Sequence, residues 1–98
     1  MRLEELREEI DAIDAELLQL ISRRAKVAVR VGAIKQAAGL PLYDPERERD
    51  VLAHVLRANG GPLGDVAISK IFRLIIEESR RLEVTTAGHP AEKVRKLS

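Results

Sequence analysis

Apolar residues recur along the first 38 positions in steps of alternately three and four. Leu3, Leu6, Ile10, Ile13, Leu17, Leu20, Val27, Val31, Ile34 and Ala38 keep that register, and Arg24 is its one charged member. This is the a/d stripe of a heptad pattern. No Pro interrupts it and the only Gly inside is Gly32, so the stripe predicts one helix over 3–38. At about 1.5 Å per residue such a helix spans about 54 Å. A compact chain of this length has a radius of gyration of only about 13 Å. The rest of the chain is too short to cover the rod, and the stripe therefore predicts a homodimer whose long first helices interlock.

Local signals divide the remainder. Gly39 supplies a left-handed cap for the first helix and Pro41 prevents its continuation. Asp44-Pro45 opens a second helix, Asp44 as N-cap and Pro45 in the first turn, with Val51, Leu52, Val55 and Leu56 as its apolar face. Asn59-Gly60-Gly61-Pro62 ends it. A third helix is expected from about Asp65 to Glu83 or slightly beyond, burying Ile68, Ile71, Phe72, Ile75, Ile76 and Leu82. The expected architecture is all-α, three helices per chain, with residues 1–83 as the domain and 84–98 as a flexible tail.

Composition narrows the chemistry. There is no Cys, hence no thiolate nucleophile and no cysteine zinc site. His54 and His89 are isolated, so no metal site is expected. One Tyr, one Phe and no Trp leave little for stacking on bases or sugars, and the net charge of +1 argues against nucleic-acid coating. No apolar run approaches a membrane span and no leader pattern opens the chain, so a cytoplasmic protein without membrane contact is expected.

The placement of charge points to a site. Between Leu17 and Tyr43 there is no acidic residue, while Arg23, Arg24, Lys26, Arg30 and Lys35 fall there. A solvated basic face is one reading of that stretch and an anion-attracting pocket is the other. Arg24 bears most weight, because a guanidinium in a core stripe needs a partner, either a carboxylate such as Glu48 or a bound anion. Lys35 lies about 16 Å further along nearly the same face, so the two could grip opposite ends of a small dianion. Arg7 sits about 25 Å from Arg24 along the helix; it either pairs with Asp11 on its own surface or reaches Arg24 of a second chain. Arg47 and Glu48 lie one turn into the second helix, in a run that also reads as solvated surface. Ser79 interrupts the apolar face of the third helix, with Glu83 one turn on; they read as a tolerated small residue and a frayed end, or as pocket groups. A cationic pocket with one or two carboxyls and no nucleophile–base pair suits a rearrangement or elimination of a small dicarboxylate better than hydrolysis.

The segments Leu6-Arg7-Glu8-Glu9-Ile10-Asp11-Ala12-Ile13-Asp14, Arg23-Arg24, Val31-Gly32-Ala33-Ile34-Lys35, Asp44-Pro45-Glu46-Arg47-Glu48 and Ile75-Ile76-Glu77-Glu78-Ser79, in this order and spacing, resemble the all-helical class of chorismate mutases over roughly residues 3–83. The resemblance implies an interlocked dimer that converts chorismate to prephenate, without metal or cofactor, on the way to phenylalanine and tyrosine. It implies that Arg24 holds one substrate carboxylate and Arg7 of the other protomer holds the second. Lys35 would bond the ether oxygen, and Glu48 would accept from the ring hydroxyl. Asp44, Arg47 and Ser79 would complete or order the pocket. Many relatives carry Gln where this chain has Glu83, facing the ether oxygen, and others carry Glu. An ionised carboxylate would repel that oxygen and a protonated one could donate to it, so a raised Glu83 pKa is expected in the occupied site. The family also implies a complex with, or fusion to, another shikimate-pathway enzyme.

Two rivals stand beside this reading. An isochorismate–pyruvate lyase shares the fold and a similar cationic pocket, and product analysis separates it. A non-enzymatic helical interaction module would use the acid-free stretch to bind a partner or nucleic acid, and predicts exposed basic residues with steeply salt-dependent binding.

Overall fold

A 35-residue helix sets the dimensions of the molecule. The computed structural model describes residues 2–88, with side chains through Thr86. Three helices follow one another, α1 over Leu3–Ala37, α2 over Pro45–Ala58 and α3 over Asp65–Gly88, and the described residues contain no strand. α1 runs about 52 Å at the usual rise, and the described residues measure 54 × 33 × 14 Å with a radius of gyration of 16.6 Å. The 14 Å dimension is little more than one helix diameter.

The ends of the elements are where local chemistry puts them. Gly39 has φ +72 and ends α1 as expected, in a conformation that costs other residues strain. Asp44 caps α2, its Oδ1 accepting from the Arg47 backbone N–H at 3.1 Å, with Pro45 beginning the helix. In the α2–α3 turn, Asn59 donates to the Leu63 carbonyl at 2.9 Å and to Asp65 Oδ1 at 3.1 Å, and accepts from the Gly61 N–H at 3.0 Å. One amide side chain thus ties the turn to the first residue of α3.

α3 is the organising element, packing against α1 on one side and α2 on the other. Along α1 it meets only the C-terminal half. Arg24 touches Ser79 and Gly32 touches Glu83, in the same order on both helices, so α1 and α3 share a chain direction. Residues 3–22 are exposed throughout, and Ile10, Ile13 and Leu17 are about half accessible. The core of the single chain is correspondingly thin: Gly32, Ile76 and Ser79 are its buried residues among those described. No helix of the described residues is long and apolar enough to cross a membrane.

Two expectations need correcting. α3 continues through residues 84–88, which were assigned to a tail. The Thr85 hydroxyl donates to the Arg81 carbonyl one turn back at 2.8 Å, which satisfies it within the helix. Residues 89–98 of the expected tail lie outside the described residues. Ile71, expected on the buried side, is 44% exposed, because the inward face of α3 is the narrower strip through Ile68, Phe72, Ile75, Ile76 and Ser79.

Candidate active site

Three helices contribute to one pocket. A cavity of ≈ 260 Å³ is lined by Arg24, Val27, Ala28 and Val31 of α1, by Arg47, Glu48 and Val51 of α2, and by Ile76 of α3. α1 supplies Arg24 from the less exposed strip it shares with Ala28, Gly32 and Lys35, while the stripe positions Val27, Val31 and Ile34 stay exposed. α2 supplies Arg47 and Glu48 because its N-terminal turn, fixed by the Asp44 cap, is aimed at α1. The lining is apolar apart from Arg24, Arg47 and Glu48. That arrangement weakens screening by water and strengthens each charge toward a bound anion.

Arg24 is half-buried, and its Nη1 donates to Ser79 Oγ at 3.2 Å. The carboxylate partner considered for it, Glu48, is engaged elsewhere. Glu48 Oε2 accepts from Arg80 Nη1 in an ion pair between α2 and α3. A hydroxyl is a weak partner for a guanidinium, so most donors of Arg24 stay free for an anion. Ser79, 8% exposed, therefore acts as a hydrogen-bonding group and not as inert filler. Lys35, half-buried near the end of α1, points its ammonium at the Leu42 carbonyl at 3.5 Å, against the α1–α2 loop.

Glu83 faces the same region from α3. Burial raises its pKa above the ordinary glutamate value, opposed by Lys35, Arg24 and Arg80 and assisted by Glu48. Those four charges place Glu83 within electrostatic reach of the pocket rim. It is pressed against α1 where Gly32 leaves room: a Cβ on Gly32 would come within 3.1 Å of both Glu83 Cβ and Cγ. Lys35, Arg24, Arg47, Glu48, Ser79 and Glu83 are thus gathered from three helices, with Asp44 behind Arg47 as its cap.

Arg7 is not gathered. It lies on the exposed half of α1, about 25 Å from Arg24 along the helix, and forms no ion pair with Asp11 among the described residues. Beside Ser79 runs an open apolar groove of ≈ 420 Å³, bounded by Ile21 and Ala25 of α1 and by Leu74, Ile75 and Leu82 of α3. The edge of the pocket next to Arg24 and Ser79 is open on that side.

The sequence matches the family described as chorismate mutase type II over residues 6–84. The chain belongs to that family. A bifunctional chorismate mutase/prephenate dehydratase of Aquifex aeolicus is 47% identical over 85 residues, covering 83% of this chain and 24% of that protein. The chain thus spans about a quarter of the length of such relatives. A chorismate mutase of Methanocaldococcus jannaschii is 36% identical over 83 residues, covering 84% of each chain. Among solved structures, chorismate mutase from Helicobacter pylori in complex with prephenate superposes with a TM-score of 0.82 at 30% identity, covering 89% of this chain and 94% of that one. Form II of the Thermus thermophilus enzyme gives 0.82 at 38% identity, covering 85% and 94%.

Three residues that pack against Glu48 or Glu83, or beside them, escaped the reading of the sequence. Arg80 was passed over; its position one residue after Ser79, on the strip that also carries Ile76 and Glu83, was the available signal. Tyr43 looked like a loop residue, although it lies beside the Asp44 cap. Gly32 was visible as the lone glycine of a long helix, and a glycine there marks a close approach.

Proposed function

We propose that this chain rearranges chorismate to prephenate. The ether C–O bond breaks while a C–C bond forms within the same molecule, so the protein needs to hold the substrate in its folded, reactive shape and to stabilise charge on the separating oxygen. Arg24, steadied by Ser79, holds one carboxylate. Lys35 donates to the ether oxygen as it becomes negative, and Glu48 accepts from the ring hydroxyl. Arg47 adds positive potential at the rim, in a backbone position set by Asp44. Glu83, in its protonated form, donates to the same ether oxygen as Lys35. The observation that carries the reading is one pocket lined by Arg24 of α1 and by Arg47 and Glu48 of α2, with Ser79 of α3 on Arg24 and Glu83 of α3 within the field of Arg24 and Lys35, in a chain of this family.

The second carboxylate falls to Arg7 of a second copy. The exposed stripe of residues 3–22 and the open groove beside Ser79 support a homodimer in which the N-terminal half of one α1 lies against the other chain and brings Arg7 toward Arg24. Burying one Leu or Ile is worth about 1.5–3 kcal/mol, and the stripe offers Leu3, Leu6, Ile10, Ile13, Leu17 and Leu20 from each chain. The proposal includes a cytoplasmic setting and an association with another shikimate-pathway enzyme; the bifunctional names of the relatives support the latter.

The test follows chorismate disappearance by ultraviolet absorbance, with Arg24→Ala as control and the product identified by acid conversion to phenylpyruvate. Prephenate that forms with the wild type and not with the control is the expected result. No turnover between about pH 5 and 8, the range where His and raised carboxyls titrate, sinks the reading, and isochorismate is then the substrate to try.

A further inference from the structure

The proposed reaction leaves Arg80 without a task, yet three segments of the chain meet on its side chain. It follows the buried Ser79 on α3. Its Nη1 donates to Glu48 Oε2 on α2, and its Cζ lies 4.6 Å from the centroid of the Tyr43 ring in the α1–α2 loop. The loop is otherwise tied by Lys35, which donates to the Leu42 carbonyl, and by the Asp44 cap at its end. Glu48 Oε1 has no hydrogen-bond partner among the described residues, so one carboxylate oxygen is held and the other is open.

A pocket for a dianion has a problem with Glu48. It needs an acceptor for a hydroxyl, but a bare carboxylate repels the ligand. A guanidinium bound to one oxygen offsets the charge, fixes the plane of the carboxylate and leaves the other oxygen as acceptor. The Tyr43 ring, stacked on that guanidinium, holds the cation in place and fastens the loop that carries Leu42 to the same point.

We propose that Arg80 is a positioning residue that aims and neutralises Glu48 for the substrate's ring hydroxyl and, through Tyr43, pins the α1–α2 loop beside it. The assignment rests on the pocket reading above. The hydroxyl is kept from substrate to product, so its hydrogen bond belongs to ground state and transition state alike, and losing it shows in KM before kcat.

The experiment compares wild type, Arg80→Met and Arg80→Lys, each alone and with Glu48→Gln, using chorismate. Arg80→Met is expected to raise KM about tenfold with kcat within about twofold, the size of one charge-assisted hydrogen bond. Arg80→Lys keeps a cation but not the planar fork, and is expected to raise KM about threefold. In the neutral Glu48→Gln background the same Arg80→Met change should move KM by less than about twofold, since there is no charge left to offset. The chain has one Tyr and no Trp, so near-ultraviolet circular dichroism in the tyrosine band reads Tyr43 alone. It should change in Arg80→Met while the far-ultraviolet helix signal does not. Arg80→Lys carries the test if Arg80→Met loses that helix signal. An unchanged KM, an equal rise in both backgrounds, or an unaltered Tyr43 band overturns the assignment while wild-type turnover leaves the pocket reading standing. Absence of wild-type turnover overturns both.

Discussion

Residues 3–22 and 23–37 of α1 continue one stripe of apolar positions, yet only the second stretch packs against its own chain. The second also carries the polar exceptions: Arg24 within the stripe, Gly32 and Lys35 beside it. In the first stretch every stripe position is apolar and every residue is exposed. One helix therefore does two jobs. Its stripe stays exposed in both stretches, at Val27, Val31 and Ile34 as at Ile10 and Ile13, and the second stretch builds its site on the adjoining strip of Arg24, Ala28, Gly32 and Lys35.

The sharpest way to break this comparison is at Arg24. Arg24→Ala is expected to cut kcat/KM by about 10²–10⁴, the effect of removing a partner from a desolvated charge pair, with little change in thermal midpoint because its own-chain partner is only the Ser79 hydroxyl. Steady-state kinetics and thermal melting check this together. Next comes the exposed half. Ile13→Asp should weaken self-association by about 10²–10⁴, since a symmetric contact loses the burial of about 1.5–3 kcal/mol twice. Sedimentation over a concentration series reads it, and a wild-type chain that sediments as a monomer refutes the proposed division of labour.

The link between the halves has its own test. If Arg7 serves the other chain, Arg7→Ala and Arg24→Ala proteins are each nearly inactive, but mixing them in equal amounts restores activity. Half of the dimers are then mixed and each has one intact site, so about a quarter of wild-type activity is expected. No recovery after exchange would place Arg7 outside the site.

A subtler probe is Gly32→Ala. The new methyl approaches Glu83 Cβ and Cγ at 3.1 Å, while helix propensity gains about 1 kcal/mol, so stability should stay within about that amount while activity falls about tenfold as Glu83 is displaced. The smallest effect concerns pH. Burial raises the Glu83 pKa, so the protonated donor is present below the raised value and lost as pH climbs through it. Activity should decline with rising pH, and Glu83→Gln, neutral throughout, should flatten the profile. A wild-type profile already flat through neutrality excludes a protonated Glu83.

Much of the architecture was legible because it depends on neighbours in sequence. Gly39 and Asp44-Pro45 mark helix ends through their own backbone and cap chemistry. The stripe of α1 is legible because periodicity depends only on spacing. Arg24 could be singled out because a charge in such a stripe is anomalous. Its partner could not: Glu48 and Ser79 were both polar groups on other helices, and the choice turned on Arg80 reaching Glu48 from α3. The width of the buried face of α3 was misjudged at Ile71 for a related reason, since helical spacing gives an angle but not the extent of the neighbouring surface. Glu83 was marked from the resemblance, but the crevice that buries it exists only because Gly32 passes alongside.

A molecule 14 Å thick has almost no interior of its own. Among the described residues Gly32, Ile76 and Ser79 are the buried ones, far less than the apolar burial that normally offsets the conformational entropy of so many ordered residues. If the chain pairs with a second copy as proposed, acquiring structure and meeting that copy become a single event. The melting midpoint is then set by how much protein is in the tube, refolding proceeds at a rate that rises with chain concentration, and dilution below the dissociation constant yields unfolded chains in place of folded monomers.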